Sequence, residues 1–202
     1  MNLEPVTGEA LKTRLTVRHD FPAEVAAPRP RALVDDHWRL AMGNLTAYLA
    51  DGVGLVRPDF SDPAPEVRAS IDIAAPPAAV FRALTEPEGL NQWIAAAATV
   101  DLRVGGSMSF GWSYEVDGRT VAPVSRILEI VPNERLVMDW PDWRGDPSVP
   151  RQTIRWDLQA IPSGTRVTLT HTGFVRAVDI GDYGFGWAEF LSRLRTCVEQ
   201  TR

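Results

Sequence analysis

Apolar and polar residues alternate through much of the chain beyond residue 65, and the period changes at defined points. Val67, Ala69, Ile71 and Ile73 stand against Arg68, Ser70 and Asp72, the period-two pattern of a half-buried strand. Pro76 and Pro77 then open a helix whose face carries Val80, Phe81 and Leu84; proline suits a first turn, where its missing amide proton has no partner to lose. A short second helix is predicted over residues 86–93. Strands follow at 99–104, 107–115, 121–130, 135–140, 153–161 and 165–172, separated by the turn dipeptides Gly105-Gly106, Asp117-Gly118 and Ser163-Gly164. Pro123, early in the strand 121–130, predicts an edge or a bulge there. The chain closes on Trp187, Phe190, Leu191, Leu194 and Val198, at offsets 0, 3, 4, 7 and 11, one apolar stripe at helical period. Asp179 or Asp182 is placed to cap its start.

The order strand, two helices, about six strands, helix predicts an α+β fold. Strands joined by hairpin turns pair antiparallel, and a sheet of six or seven strands curls and needs a cover for its apolar face. The terminal helix is the element long enough to supply it. Two proline-rich stretches, residues 22–30 and 58–65, read as connectors, and the second divides the chain into residues 1–58 and a complete domain, 66–202.

The first part echoes the second. Thr13-Arg14-Leu15-Thr16-Val17-Arg18-His19 matches Thr165-Arg166-Val167-Thr168-Leu169-Thr170-His171, 152 positions later. Trp38, Ala41, Met42, Leu45 and Leu49 then repeat the offsets 0, 3, 4, 7 and 11. Residues 1–58 are therefore expected to hold the last strand and last helix of a truncated first copy. Whether that fragment packs on the complete domain or forms a homodimer through its strand and helix stays open, since both uses cover an apolar stripe and a strand edge.

Several stretches carry a resemblance to a known family. Val80-Phe81-Arg82-Ala83-Leu84-Thr85 with Gln92-Trp93, Val104-Gly105-Gly106-Ser107, Glu129-Ile130-Val131-Pro132-Asn133-Glu134-Arg135-Leu136, residues 165–174 and Gly186-Trp187 occur in the family's order. Together they resemble the homologues of the C-terminal domain of the heat-shock-protein-90 ATPase activator, within the START-like (SRPBCC) superfamily. The resemblance implies a helix-grip fold, a curved antiparallel sheet wrapped on a long C-terminal helix with a cavity between them. It implies no particular reaction. Two positions depart from the pattern: Pro123 interrupts a strand that relatives continue, and Tyr183 stands where relatives often carry a histidine.

Composition narrows the function classes. Hydrophobic residues make up 45% and charged residues 23% of the 202, as in ordinary globular domains. No apolar run is long enough for a membrane span, and the first residues lack a signal peptide's basic and apolar regions. The single cysteine, Cys197, excludes an internal disulfide and a cysteine-rich metal site, so a cytoplasmic location is expected. The net charge of −5, with positive residues scattered, argues against nucleic acid as a partner.

The candidate site is the inward face. Phe110, Trp112, Tyr114, Met138, Trp140, Trp156 and His171 point inward from the strands, and Trp187 faces them from the helix. They either pack as a solid core or line a cavity for a small apolar ligand; the superfamily's shape favours the cavity. His171 reads as a hydrogen-bonded interior residue or a ligand contact. Three separated histidines, His19, His37 and His171, do not make a metal site, and no cofactor is implied. Glu115, Arg126, Asp139 and Arg155 are expected to pair across neighbouring strands at the surface. Three functions remain: binding a small hydrophobic molecule, a co-chaperone-like interaction module, and an enzyme working inside the cavity. No catalytic residue is assigned, although His171, Tyr114 and Glu115 are the acid–base groups such an enzyme would have at hand.

Overall fold

The computed structural model describes residues 2–5, 13–20, 22, 28–52, 61–116, 118–142, 148–175 and 183–200. A hairpin of β1 (Asn2–Pro5) and β2 (Thr13–Thr16) leads to α1 (Pro28–Asp51). Then come β3 (Val67–Ile73), α2 (Pro77–Thr85), α3 (Pro87–Trp93), β4 (Thr99–Val100), β5 (Ser107–Ser109), β6 (Tyr114–Val116), β7 (Arg119–Val121), β8 (Val124–Val131), β9 (Arg135–Trp140), β10 (Gln152–Ile161), β11 (Gly164–Thr172) and α4 (Tyr183–Gln200). Seven strands form one sheet in the order β3-β11-β10-β9-β8-β5-β4, and every neighbouring pair is antiparallel. The expected α+β architecture, a long sheet with a C-terminal helix, is what the chain adopts.

Local chemistry sets the boundaries. Pro76 and Pro77 start α2, and α2 stops at Glu86, whose extended backbone is what a following proline demands. Pro87 then starts α3. The two helices close on each other because Gly89 lacks a side chain: a Cβ there would lie 2.8 Å from Ala83 Cα. The Trp93 indole fastens the pair by donating to Ala83 O at 2.9 Å. α1 begins at Pro28, inside a stretch that reads as a connector, because prolines are accommodated in its first turn.

Two strands are shorter than their alternation suggests. The stretch 107–115 is interrupted at Gly111, which adopts φ +69°. There the chain crosses Ala97 so closely that a Cβ on Gly111 would meet Ala97 N at 2.5 Å. β6 and β7 consequently leave the main sheet as a separate two-stranded ribbon. Pro123 falls between β7 and β8 and splits the stretch 121–130. The bulge lies further on, where the register slips between Ile127 and Glu129.

The core lies between the sheet and α2–α4. Val80, Leu84, Leu90, Met108, Ile127, Leu136, Ile154, Leu169, Leu191 and Leu194 are buried in it. The outer face carries ion pairs: Arg166 with Asp72, Arg135 with Glu129 and Asp157, Arg155 with Asp157, and Arg151 with Asp139. The expected grouping of Glu115, Arg126, Asp139 and Arg155 is not the one formed. Glu115 accepts from Thr120, Asp139 takes the Arg126 backbone N–H and the Arg151 guanidinium, and Arg155 turns to Asp157. Both Arg126 and Arg155 are exposed.

Candidate functional site: an aromatic seam between sheet and helix

The first turns of α4 lie across the centre of the sheet, and aromatic rings fill the join. Trp187 sits 5.4 Å from Trp140 and 5.8 Å from Trp156, centroid to centroid, both in edge-to-face geometry. Trp93 closes on Trp156 at 5.9 Å, and Trp140 lies 5.7 Å from Phe110. Such contacts match the positive ring edge to the negative ring face. Phe110, Met138, Trp140, Trp156 and Trp187 all border one internal space. Leu84, Leu90, Trp93, Ile94 and Met108 complete its wall.

That space is about 10 Å³, at or below the volume one water molecule requires, on the order of 10–15 Å³. The cavity expected between sheet and helix is thus filled by side chains. Alternation correctly places these rings on the inner face, but it does not specify the volume left between the layers.

Around the seam, three indole donors have acceptors within the protein. Besides Trp93, Trp112 donates to Ile94 O at 3.1 Å, and Trp187 donates to His171 Nδ1 at 3.1 Å. Trp140 and Trp156, both almost wholly buried, donate to no acceptor among the described residues. Buried indole N–H groups ordinarily find a partner.

His171 stands behind the seam on β11, with no exposed surface. Its Nδ1 accepts from Trp187, which places the ring proton on Nε2, and Nε2 donates to Gln152 Oε1 at 2.8 Å. Burial lowers its pKa to about 3, so the ring is neutral at ordinary pH. Phe174 and Tyr183 flank it at 4.6 and 4.8 Å. Both nitrogens are committed to the protein, which is the hydrogen-bonded interior role and not that of a free acid or base.

Trp112 extends the seam outward, meeting Trp140 edge-to-face at 6.0 Å. Trp112 is half-buried and stacks between Phe110 at 4.9 Å and Phe190 at 6.2 Å. The side chain of Tyr114 lies outside the described residues, as do Asp179 and Asp182. Cys197 is half-buried, its Sγ is 3.3 Å from Gln92 Oε1, and partial burial raises its thiol pKa. Among the described residues no group of three metal-ligating side chains forms, and no helix is long and apolar enough to cross a membrane. The wall residues that alternation missed come from α2 and α3. Leu90, Trp93 and Ile94, at helical spacing, were the signal available for them.

A curved antiparallel sheet closed by a C-terminal helix over an aromatic seam defines an α+β protein of the helix-grip class. The profile of the family described as Activator of Hsp90 ATPase homolog 1-like protein matches residues 74–199, and the chain belongs to that family. Solved structures agree on the fold. A Mesorhizobium loti protein is 24% identical with a TM-score of 0.56, the match covering 68% of this chain and 99% of that one. A Nitrosomonas europaea protein is 26% identical with a TM-score of 0.56, covering 68% and 96%. A solution structure described as the Aha1 dimer from Colwellia psychrerythraea is 23% identical with a TM-score of 0.53, covering 67% and 96%. No curated protein matches the chain.

Proposed function

We propose that residues 66–202 bind a small, mostly apolar molecule carrying one or two hydrogen-bond acceptors, admitted when α4 lifts from the sheet. The observation behind this reading is the pair of buried indoles, Trp140 and Trp156, that border the seam and have no acceptor among the described residues. A guest parting the rings would meet carbon, with the indoles of Trp140 and Trp156 in its wall. Phe110, Met138 and Trp187 would supply its apolar contacts, with Trp112, Tyr114 and His171 around them. Because the seam is closed without a guest, binding includes the cost of opening it, and the apparent affinity falls by the open fraction.

Native mass spectrometry of freshly purified protein tests for a retained molecule. Titration with a medium-chain fatty acid and with an aromatic ketone then reads tryptophan quenching and melting temperature. A true ligand at 100 times its dissociation constant adds about 2.7 kcal/mol of stability. Trp156→Phe keeps a ring and removes a donor, and is expected to weaken binding by roughly 1 kcal/mol, about fivefold. No retained molecule, together with no shift from either probe, overturns the proposal. The filled seam and the family description also favour a second reading, a co-chaperone-like interaction module. Retention of the chaperone on the immobilised full chain at low salt would support it, and no retention would count against it.

A further inference from the structure

The N-terminal segment repeats more of the domain than its sequence suggests, down to individual contacts. After β2, His19 Nδ1 accepts from the Trp38 indole at 3.0 Å, with ring centroids 6.0 Å apart at 82°. Within β11, near its end, His171 Nδ1 accepts from Trp187 at 3.1 Å, with centroids 5.9 Å apart at 78°. These histidines and tryptophans hold matching places in the two sequence copies.

The hairpins correspond as well. β1 pairs with β2 as Asn2↔Thr16, Leu3↔Leu15, Glu4↔Arg14 and Pro5↔Thr13. In the larger unit Asp157, Leu158, Gln159 and Ala160 pair with Thr168, Val167, Arg166 and Thr165. Register and residue character agree at each step, with Leu3 standing for Leu158 and Leu15 for Val167. β1, β2 and α1 therefore echo β10, β11 and α4.

The copy is incomplete in a specific way. β11 lies between β10 and β3, whereas among the described residues β2 pairs only with β1, in a two-stranded sheet. Such a hairpin is marginal in water. The α4 stripe is buried, with Trp187 3% and Leu194 0% exposed, while on α1 Trp38, Met42 and Leu45 are half-buried and Leu49 is 73% exposed. None of the described α1 side chains packs against the main core. Leu3, on the hairpin face equivalent to the buried Leu158, is 65% exposed.

We propose that the missing neighbour is a second copy of this chain, and that β2 pairs antiparallel with β2 of the partner subunit about a two-fold axis. Among the described residues no strand lies beside β2 in the place β3 fills beside β11, where the pairing is antiparallel. An identical strand related by a two-fold meets its copy in that direction. Centring the axis on Leu15 sets Arg14 opposite Thr16 of the partner subunit, so within β2 no like charges face each other. The product is a four-stranded sheet, β1-β2-β2-β1, with both α1 helices on the face that carries Leu3 and Leu15. The seam of residues 66–202 takes no part, so this interface stands or falls apart from the ligand proposal. The solved structures described above are covered almost entirely by about two thirds of this chain, a share residues 66–202 alone would fill. A dimer built on residues 2–51 is thus a feature of this chain and not of those proteins.

Light scattering of the full chain at about 100 µM is expected to give twice the chain mass. Leu15→Asp is expected to halve that mass and leave the near-ultraviolet circular dichroism of the tryptophan seam unchanged. Leu15→Cys in a Cys197→Ser background places a thiol opposite its own counterpart, at the Cβ separation of about 5 Å of directly paired residues, and a short bifunctional thiol reagent should convert most of the chain to a cross-linked dimer. Leu102→Cys in the same background, an exposed position elsewhere, should not cross-link. A monomeric wild type overturns the proposal. So does a dimer that survives Leu15→Asp, and so does a dimer in which the residue-15 thiols fail to cross-link.

Discussion

Acidification from pH 8 to pH 5 should weaken the fold through His171. In the unfolded chain the imidazole takes a proton near its ordinary pKa of about 6.5. In the folded chain burial holds it back to about 3. A proton arriving on Nδ1 would also set two donors against each other, because that nitrogen accepts from Trp187. Between these values the unfolded state binds the extra proton and the native state does not, so stability rises with pH across the interval. The contribution is complete above about pH 6.5 and drains away as the pH falls towards 3. At pH 5 the loss is RT ln(1 + 10^1.5), about 2 kcal/mol, and it hardly changes for any native pKa below about 4.

Carboxylates contribute little over this range. Asp72 is held low by the hydrogen bond from Arg166. At Asp157 partial burial raises the pKa, but the hydrogen bonds from Arg155 and Arg135 bring it below the ordinary value. Both groups lose their stabilising effect only as the pH falls below the ordinary carboxylate pKa of about 4. The assay is urea unfolding followed by tryptophan emission at pH 8, 7, 6 and 5, for the wild type and for His171→Gln. The variant is less stable at pH 8, but its further loss on going to pH 5 should be smaller than the wild type's by about 2 kcal/mol. Equal losses in the two proteins would refute the reasoning.

Trp187→Phe keeps a ring in the seam but leaves the buried His171 Nδ1 without its donor; equilibrium unfolding should show a loss of about 1–3 kcal/mol. Leu194→Ala empties a position with no exposed surface under α4, and the same measurement should show a loss of about 2–5 kcal/mol. At Gly111, substitution by alanine combines a left-handed backbone with a Cβ only 2.5 Å from Ala97 N. A destabilisation of at least about 1–2 kcal/mol is expected, with chemical-shift changes centred on residues 96–98 and 110–112.

Much of the architecture was legible as a change of period. β3, β9, β10 and β11 each keep one apolar face against α4, so alternation located them to within a residue. The errors have physical sources that alternation does not carry. Trp112 and Tyr114 continue the apolar pattern of Met108 and Phe110, yet the strand stops because Gly111 turns the backbone onto Ala97. Trp93 belongs to the seam because α3 lies close over α2 at Gly89, a contact set by tertiary approach and not by spacing. The filled interior was the hardest feature to foresee. Period two tells which side of a strand a ring occupies, whereas the residual volume depends on how rings from β9, β10, α3 and α4 interdigitate.

The two tryptophan–histidine clasps separate geometry from energy. The same indole-to-Nδ1 bond, 3.0 Å long at His19 and 3.1 Å at His171, forms at an exposed and at a buried histidine alike. In each place it ties a helix to the chain at or just beyond a strand. Its worth differs with surroundings: water can replace the bond at the exposed His19, but nothing can replace it at His171, where a lost donor leaves a buried acceptor unmet. The strength of the inner clasp thus comes from the packing that fills the seam. The same packing denies a guest a ready-made cavity, so any ligand must compete with the contacts that make the domain stable.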